Sequence, residues 1–223
     1  MSGINGLRGS RLILLVSVLG AAVVLGGCAT GEDAPTGLAA RSSSPQDVTA
    51  TGASPATGRT TTTSPGTCDG TIGGRAVDEV VVPPGATCML IGTSVDGNVS
   101  VGRSGALLMR QVRVDGDVEA EGARVVKVIR SVIGGNVQLE QGKSATVLHS
   151  EIQGDLLFEE QGGTLMAKRN LVRGNVQADG NNGPLSITDN RIQGDLECEE
   201  NTHGATGSGN AVSGGRDGQC DRL

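Results

Sequence analysis

The chain has 223 residues, 24 of them acidic against 18 Lys and Arg, for a formal net charge of −6, and it contains no Trp, no Tyr and one Phe. That acidic balance disfavours a nucleic-acid partner. The missing aromatics weaken a sugar-cleaving reading, since such sites usually lay sugar rings on aromatic faces.

Residues 1–27 read as a leader. Met1 to Arg11 carries Arg8 and Arg11 and no acid, and Leu12 to Gly27 is an apolar run of 16 residues. The run suits a signal-peptide core and is short of the ~20 residues a membrane span needs. It ends in Leu25-Gly26-Gly27-Cys28. A Leu three places before a Cys, with two small residues between, resembles the lipobox of bacterial lipoproteins. The resemblance implies cleavage before Cys28, a diacylglyceryl group on its thiol, further fatty acylation of the palmitate type, and an extracytoplasmic protein anchored to the cell membrane. Two acyl chains hold a protein to a bilayer where one does so only reversibly. Loss of the leader removes Arg8 and Arg11 and leaves 16 basic against 24 acidic residues, or −8.

Residues 28–66 form the lipidated Cys and a linker. From Ala29 onward Ala, Thr, Ser, Pro and Gly dominate, including Thr60 to Thr63 followed by Ser64-Pro65. No core can form from that composition. A flexible tether of this length has an r.m.s. span of about 35 Å.

Residues 67–223 repeat. A glycine followed by Asn or Asp returns at Gly97, Gly116, Gly135, Gly154, Gly174 and Gly194, with Gly214 as a last echo, in steps of 19, 19, 19, 20, 20 and 20 residues. A fixed period this short marks stacked coils. Alternations such as Val99-Ser100-Val101 and Val137-Gln138-Leu139 match short strands with one buried face. A second strand follows about ten residues after each glycine, as at Leu107 and Met109 or Val126 and Val128. Parallel strands from successive coils stack ~4.8 Å apart. The predicted fold is all-β: a parallel β-helix, or solenoid, of about eight 19–20-residue coils. The column Val101, Ala120, Leu139, Phe158, Ala178, Cys198 should point inward. The first complete coil is read at Glu79 to Cys88, aligned with Asn98 to Leu108 by skipping one residue, after an irregular cap from Thr67 to Ala76.

The left-handed form repeats in sixes, which divides neither 19 nor 20, so a right-handed helix is expected. Ser131, Ser150, Asn170, Asn190 and Asn210 recur at one position of successive coils. This column resembles the asparagine ladder of right-handed parallel β-helix proteins, and the resemblance covers roughly Thr67 to Leu223.

With Cys28 lipidated, four cysteines are left. Cys68 and Cys88 are one coil apart; Cys198 and Cys220 are one coil apart if two residues are inserted near Arg216 to Gly218. These spacings predict Cys68–Cys88 and Cys198–Cys220 disulfides, each pinning a terminal coil. Export favours their oxidation.

The outward columns carry the candidate sites. Residues one, three and five places after each repeat glycine should face solvent. Ten of those eighteen positions are acidic and none is basic: Asp117, Glu119, Glu121, Glu140, Asp155, Glu159, Asp179, Asp195, Glu197 and Glu199. Like charges on adjacent strands repel. The alternation of Asn and Asp in the first column is read as relief of that cost, an Asn amide donating to carboxylates above and below. A second face gathers Arg110, Lys127, Arg130, His149, Lys168 and Arg169 among Leu108, Ile129, Leu148 and Met166.

The acidic face is a candidate for weak Ca²⁺ binding, in the 10⁻⁴ to 10⁻³ M range of extracellular modules, or for a basic protein partner. A cell-envelope polymer and lateral self-association of acidic face on basic face are further readings. No other cofactor is expected. The sequence has no Gly-x-Ser-x-Gly and no Cys/His pairing, and its short coils leave no room for catalytic loops, so no enzyme is expected. The function read here is a membrane-anchored lipoprotein that presents its β-helix as a binding or structural surface in the cell envelope; the alternative is a weak Ca²⁺-binding or a polysaccharide-binding or polysaccharide-processing β-helix protein.

Overall fold

The computed structural model describes residues 66–223, all of them in strands, turns and corners without a helix. The leader, Cys28 and the linker up to Pro65 lie outside the described residues. The rest is a parallel β-solenoid of about eight turns.

Three sheets form its walls, one of nine strands and two of eight. One coil shows why. Val118–Glu121 lies in the first sheet, Val125–Ile129 in the second and Val132–Ile133 in the third. Each inner strand pairs in parallel with its equivalents one coil before and one coil after, as Val118 does with Val99 and Val137. The sequence predicts two strands per coil, and the third wall is a correction. Its strands are two residues long, too short for period-2 alternation to be visible. They contain the aliphatic residue two places before each repeat glycine, such as Val114, Ile133 and Ile152, and these are fully buried.

Alternation builds the core. In each long strand every second side chain points inward, and Val99, Val118, Val137, Leu156, Val176 and Leu196 form one fully buried file. The predicted file from Val101 to Cys198 is also buried and in register, with Phe158 between Leu139 and Ala178. Along that file the bulky neighbours Leu139 and Phe158 are flanked by the small Ala120 and Ala178, a size pattern that lets side chains of successive coils fill the interior. No buried polar side-chain atom among the described residues lacks a hydrogen-bond partner.

Both ends differ from their sequence readings. Thr67 to Ala76 is not an irregular cap. Gly66–Thr67, Gly70–Ile72 and Ala76–Val77 are strands that pair with Val80–Val81, Cys88–Leu90 and Ser94–Val95, making a shortened first coil that belongs to all three sheets. No residue is skipped in the next coil: Val80 pairs with Val99, and Cys88 with Leu107. At the other end no insertion is present, because Leu196 pairs with Arg216 and Cys198 with Gly218 at the usual 20-residue step. This final strand, Arg216–Gly218, is wholly exposed.

The disulfides Cys68–Cys88 and Cys198–Cys220 are formed, with Cα separations of 5.4 and 5.2 Å. Their partners are not register mates. Cys88 stands opposite Gly70 and Cys198 opposite Gly218, so each bridge runs two residues off the ladder and its buried sulfurs close one end of the core.

Candidate functional site

Each corner of the coil is fixed by side chains that take over where the sheets stop. Between the second and third sheets the predicted column is buried and bonded along the axis. The Ser150 N–H donates to Asn170 Oδ1 at 3.0 Å, the Asn170 N–H to Asn190 Oδ1 at 2.9 Å, and the Asn190 N–H to Asn210 Oδ1 at 3.0 Å. Each Nδ2 also donates to a main-chain carbonyl in the second-sheet strand of the preceding coil, as Asn190 does to Ala167 O at 2.8 Å. The residue before each ladder member turns with positive φ: 50° at Arg130, 51° at His149 and 54° at Arg169. The left-handed turn aims the next side chain into the core.

A second ladder, between the first and second sheets, escaped the sequence reading. Gln161, Asn181 and Asn201 are buried; the Gln161 N–H donates to Asn181 Oδ1 at 2.9 Å, and the Asn181 N–H to Asn201 Oδ1 at 3.2 Å. Gln219 ends the file, its Oε1 accepting from the Asn201 N–H at 3.0 Å. The same 20-residue step from 161 to 181 to 201 was the available signal.

The third corner corrects the reading of the Asn/Asp alternation. These side chains do not exchange amide bonds with carboxylates. Each Oδ1 accepts the main-chain N–H of the next coil: Asp117 N–H to Asn98, Asn136 N–H to Asp117, Asp155 N–H to Asn136 and Asp195 N–H to Asn175, at 2.6 to 2.9 Å. Only an acceptor oxygen is needed there, which Asn and Asp supply equally. The repeat glycine follows from the same contact. A Cβ on Gly135 or Gly174 would lie inside the Oδ1 of Asp117 or Asp155 in the coil before.

The ten candidate acids therefore divide. Asp117, Asp155 and Asp195 are part-buried corner acceptors. Glu119, Glu121, Glu140, Glu159, Asp179, Glu197 and Glu199 stand on the outer face of the first sheet. Glu121, Glu140, Glu159, Asp179 and Glu199 are direct register partners, one per coil. Glu160 and Glu200, at the adjoining corner, extend the face and were missed. Glu159 is half-buried, and burial followed by the charges of Glu140, Asp179 and Glu160 raises its pKa above the ordinary glutamate value. The carboxylates line shallow ground shared with Gln177. They run along the axis instead of converging, and among the described residues no three acidic, His or Cys side chains gather as a metal would require. The Ca²⁺ expectation gains no site from this geometry.

The second sheet has the opposite character. Its strands contain Arg110, Lys127 and Lys168 and no acid, whereas the strands of the first contain eight acids and one base, Arg216. Arg130, His149 and Arg169 are exposed corner residues alongside it. Among the described residues Arg169 is paired with Asp189, and Arg110, Lys127, Arg130 and Lys168 make no ion pair. Between them Met166 is exposed, and Leu108, Ile129 and Leu148 are half-buried. Charge is sorted by wall. Compared with protein-family models, curated proteins and solved structures, the chain matches none.

Proposed function

We propose that the protein is a bacterial lipoprotein, held outside the cell membrane by acylated Cys28, whose solenoid serves as a non-catalytic binding or structural surface of the cell envelope. The observation that carries this reading is the sorting of charge onto separate flat walls around a filled core. A filled core offers no room to a small ligand, so recognition falls to the walls. Two disulfides suit an oxidising compartment outside the cytoplasm. Leu25 to Cys28 supplies the anchor, and the polar stretch to Gly66 lets the solenoid stand off the bilayer. The partners in this reading are the membrane, through the anchor, and an envelope component of the charge each wall selects.

Cell fractionation of the parent protein and of Cys28→Ser tests the anchor, with mass spectrometry of the mature N-terminal peptide. The parent should sediment with membranes and begin at diacylated Cys28. The variant should be released or stay unprocessed; the same membrane fraction and the same N-terminus in both would overturn the reading.

A further inference from the structure

We infer that the second sheet receives the first sheet of another copy of the same chain, so that solenoids associate side by side, acidic wall on basic wall. This deepens the surface-presenting reading by naming what the surface binds.

The two walls complement each other in charge and are unsatisfied within one copy. Glu119, Glu140, Glu159, Asp179, Glu197 and Glu199 make no ion pair among the described residues, and neither do Arg110, Lys127 and Lys168. Register partners of like charge repel along the first sheet. Opposing bases relieve that repulsion, and charge complementarity fixes partner and register more than it adds raw affinity.

Spacing is matched by construction. Both walls are made by the same coils and share one axial repeat of ~4.8 Å. Arg110, Lys127 and Lys168 lie on the coils of Val99, Val118 and Leu156, while Glu121, Glu140, Glu159, Asp179 and Glu199 occupy five consecutive coils. With parallel axes, a shift of one coil sets the three bases level with Glu121, Glu140 and Asp179. A shift of two sets them level with Glu140, Glu159 and Glu199.

The basic wall also offers apolar surface to bury. Ile91 is 40% and Met166 36% exposed, with Leu108, Ile129 and Leu148 half-buried beside them. Eight strands of two to five residues, about four on average, give roughly 500 Å² a side from strand spacing and rise, and fewer coils overlap at either offset, which puts the contact below the size of standard interfaces. The association is weak in solution and gains from confinement. Because unlike walls meet, each added copy leaves one wall of each kind free, and the assembly grows as a row or closes as a ring, not as a symmetric dimer.

Sedimentation velocity across rising concentration tests this with the chain from residue 28 onward carrying Cys28→Ser, so that the outcome does not depend on acylation. Association should weaken at least tenfold in Arg110→Glu/Lys127→Glu and in Glu140→Lys/Glu159→Lys. Melting curves and circular dichroism select the variants that are folded. Each double variant loses one wall and turns it into a match for the other variant, so an equimolar mixture should regain association. A parent chain that is monomeric at millimolar concentration, or a mixture of folded variants that does not associate, overturns the inference. Sedimentation of a monomeric parent with phosphatidylglycerol vesicles, lost in Arg110→Glu/Lys127→Glu, would instead assign the basic wall to anionic lipid and overturn it too.

Discussion

Glu159 shows how a single side chain feels the stacking. It is paired in register with Glu140 and Asp179, sits beside Glu160, and is half-buried, so its native carboxylate is disfavoured and its pKa is raised. A raised folded-state pKa means that the native protein binds the proton more tightly than the unfolded chain does. Stability then falls as pH rises from the ordinary glutamate pKa through the raised value, and the cost is fully present above it. Glu159→Gln should stabilise the protein at pH 7 by about 0.5 kcal/mol, the size of a cross-strand charge pair. The gain should shrink on acidification below the ordinary glutamate pKa, where the parent Glu159 is also neutral. Thermal melts of both proteins at the two pH values check this; a destabilised variant at pH 7 would contradict the repulsion argument. Glu151, on the third sheet, goes the other way: hydrogen bonding from the Arg173 guanidinium at 2.9 Å lowers its pKa. Its exposure makes that pair worth little.

Corners, more than strands, hold the elements in place. A two-residue strand such as Val132–Ile133 contributes few ladder bonds, and the coil keeps its shape because buried amides continue the hydrogen bonding around the turn. Asn181 is the clearest member. Its Oδ1 accepts from the Gln161 N–H at 2.9 Å, and its Nδ2 donates to Phe158 O at 2.9 Å and to Asn201 Oδ1 at 2.8 Å. Asn181→Ala strands these groups in the core at about 1–3 kcal/mol for each one left unpaired. A total loss of about 3 kcal/mol is expected, or a fall of ~6–12 °C in melting temperature for a domain of this size. A change below 1 °C would show that water replaces the amide. The ladder between the first two sheets was legible only as a 20-residue recurrence. Its members read as ordinary polar turn residues, since burial depends on the positive φ of Glu160, Gly180 and Glu200 before them.

The solenoid as a whole is nearly one-dimensional, each inner coil touching its two neighbours. Stability in such a stack is a sum of coil and interface terms, and the ends have one interface instead of two. The bridges Cys68–Cys88 and Cys198–Cys220 act where that deficit lies. Closing a loop of about 20 residues is worth ~3 kcal/mol in the chain-entropy account. For Cys198→Ser/Cys220→Ser, hydrogen exchange should accelerate in the last coil, around Ala205–Thr206 and Ala211–Val212. Central strands such as Val137–Glu140 should keep their protection. An equal loss along the whole axis would mean that the stack melts as one unit.

The sequence by itself determined the period, the parallel stacking, the buried files and the cysteine pairs. The first three are repeats of residue type at a fixed step, which in a solenoid is adjacency in space; the cysteines, 20 and 22 residues apart, come within bridging distance because they lie close to that step without being register mates. Tertiary structure alone decided the third wall, whose strands are too short to carry a pattern. It also decided the partners of the Asn and Asp oxygens, because the main-chain N–H groups they bind carry no residue identity. For the same reason it alone separated Asp117, Asp155 and Asp195, spent on the corner, from Glu121, Glu140 and Glu159, which face solvent. Carboxylates look alike in a sequence, and what distinguishes them is which backbone donors the fold brings within reach.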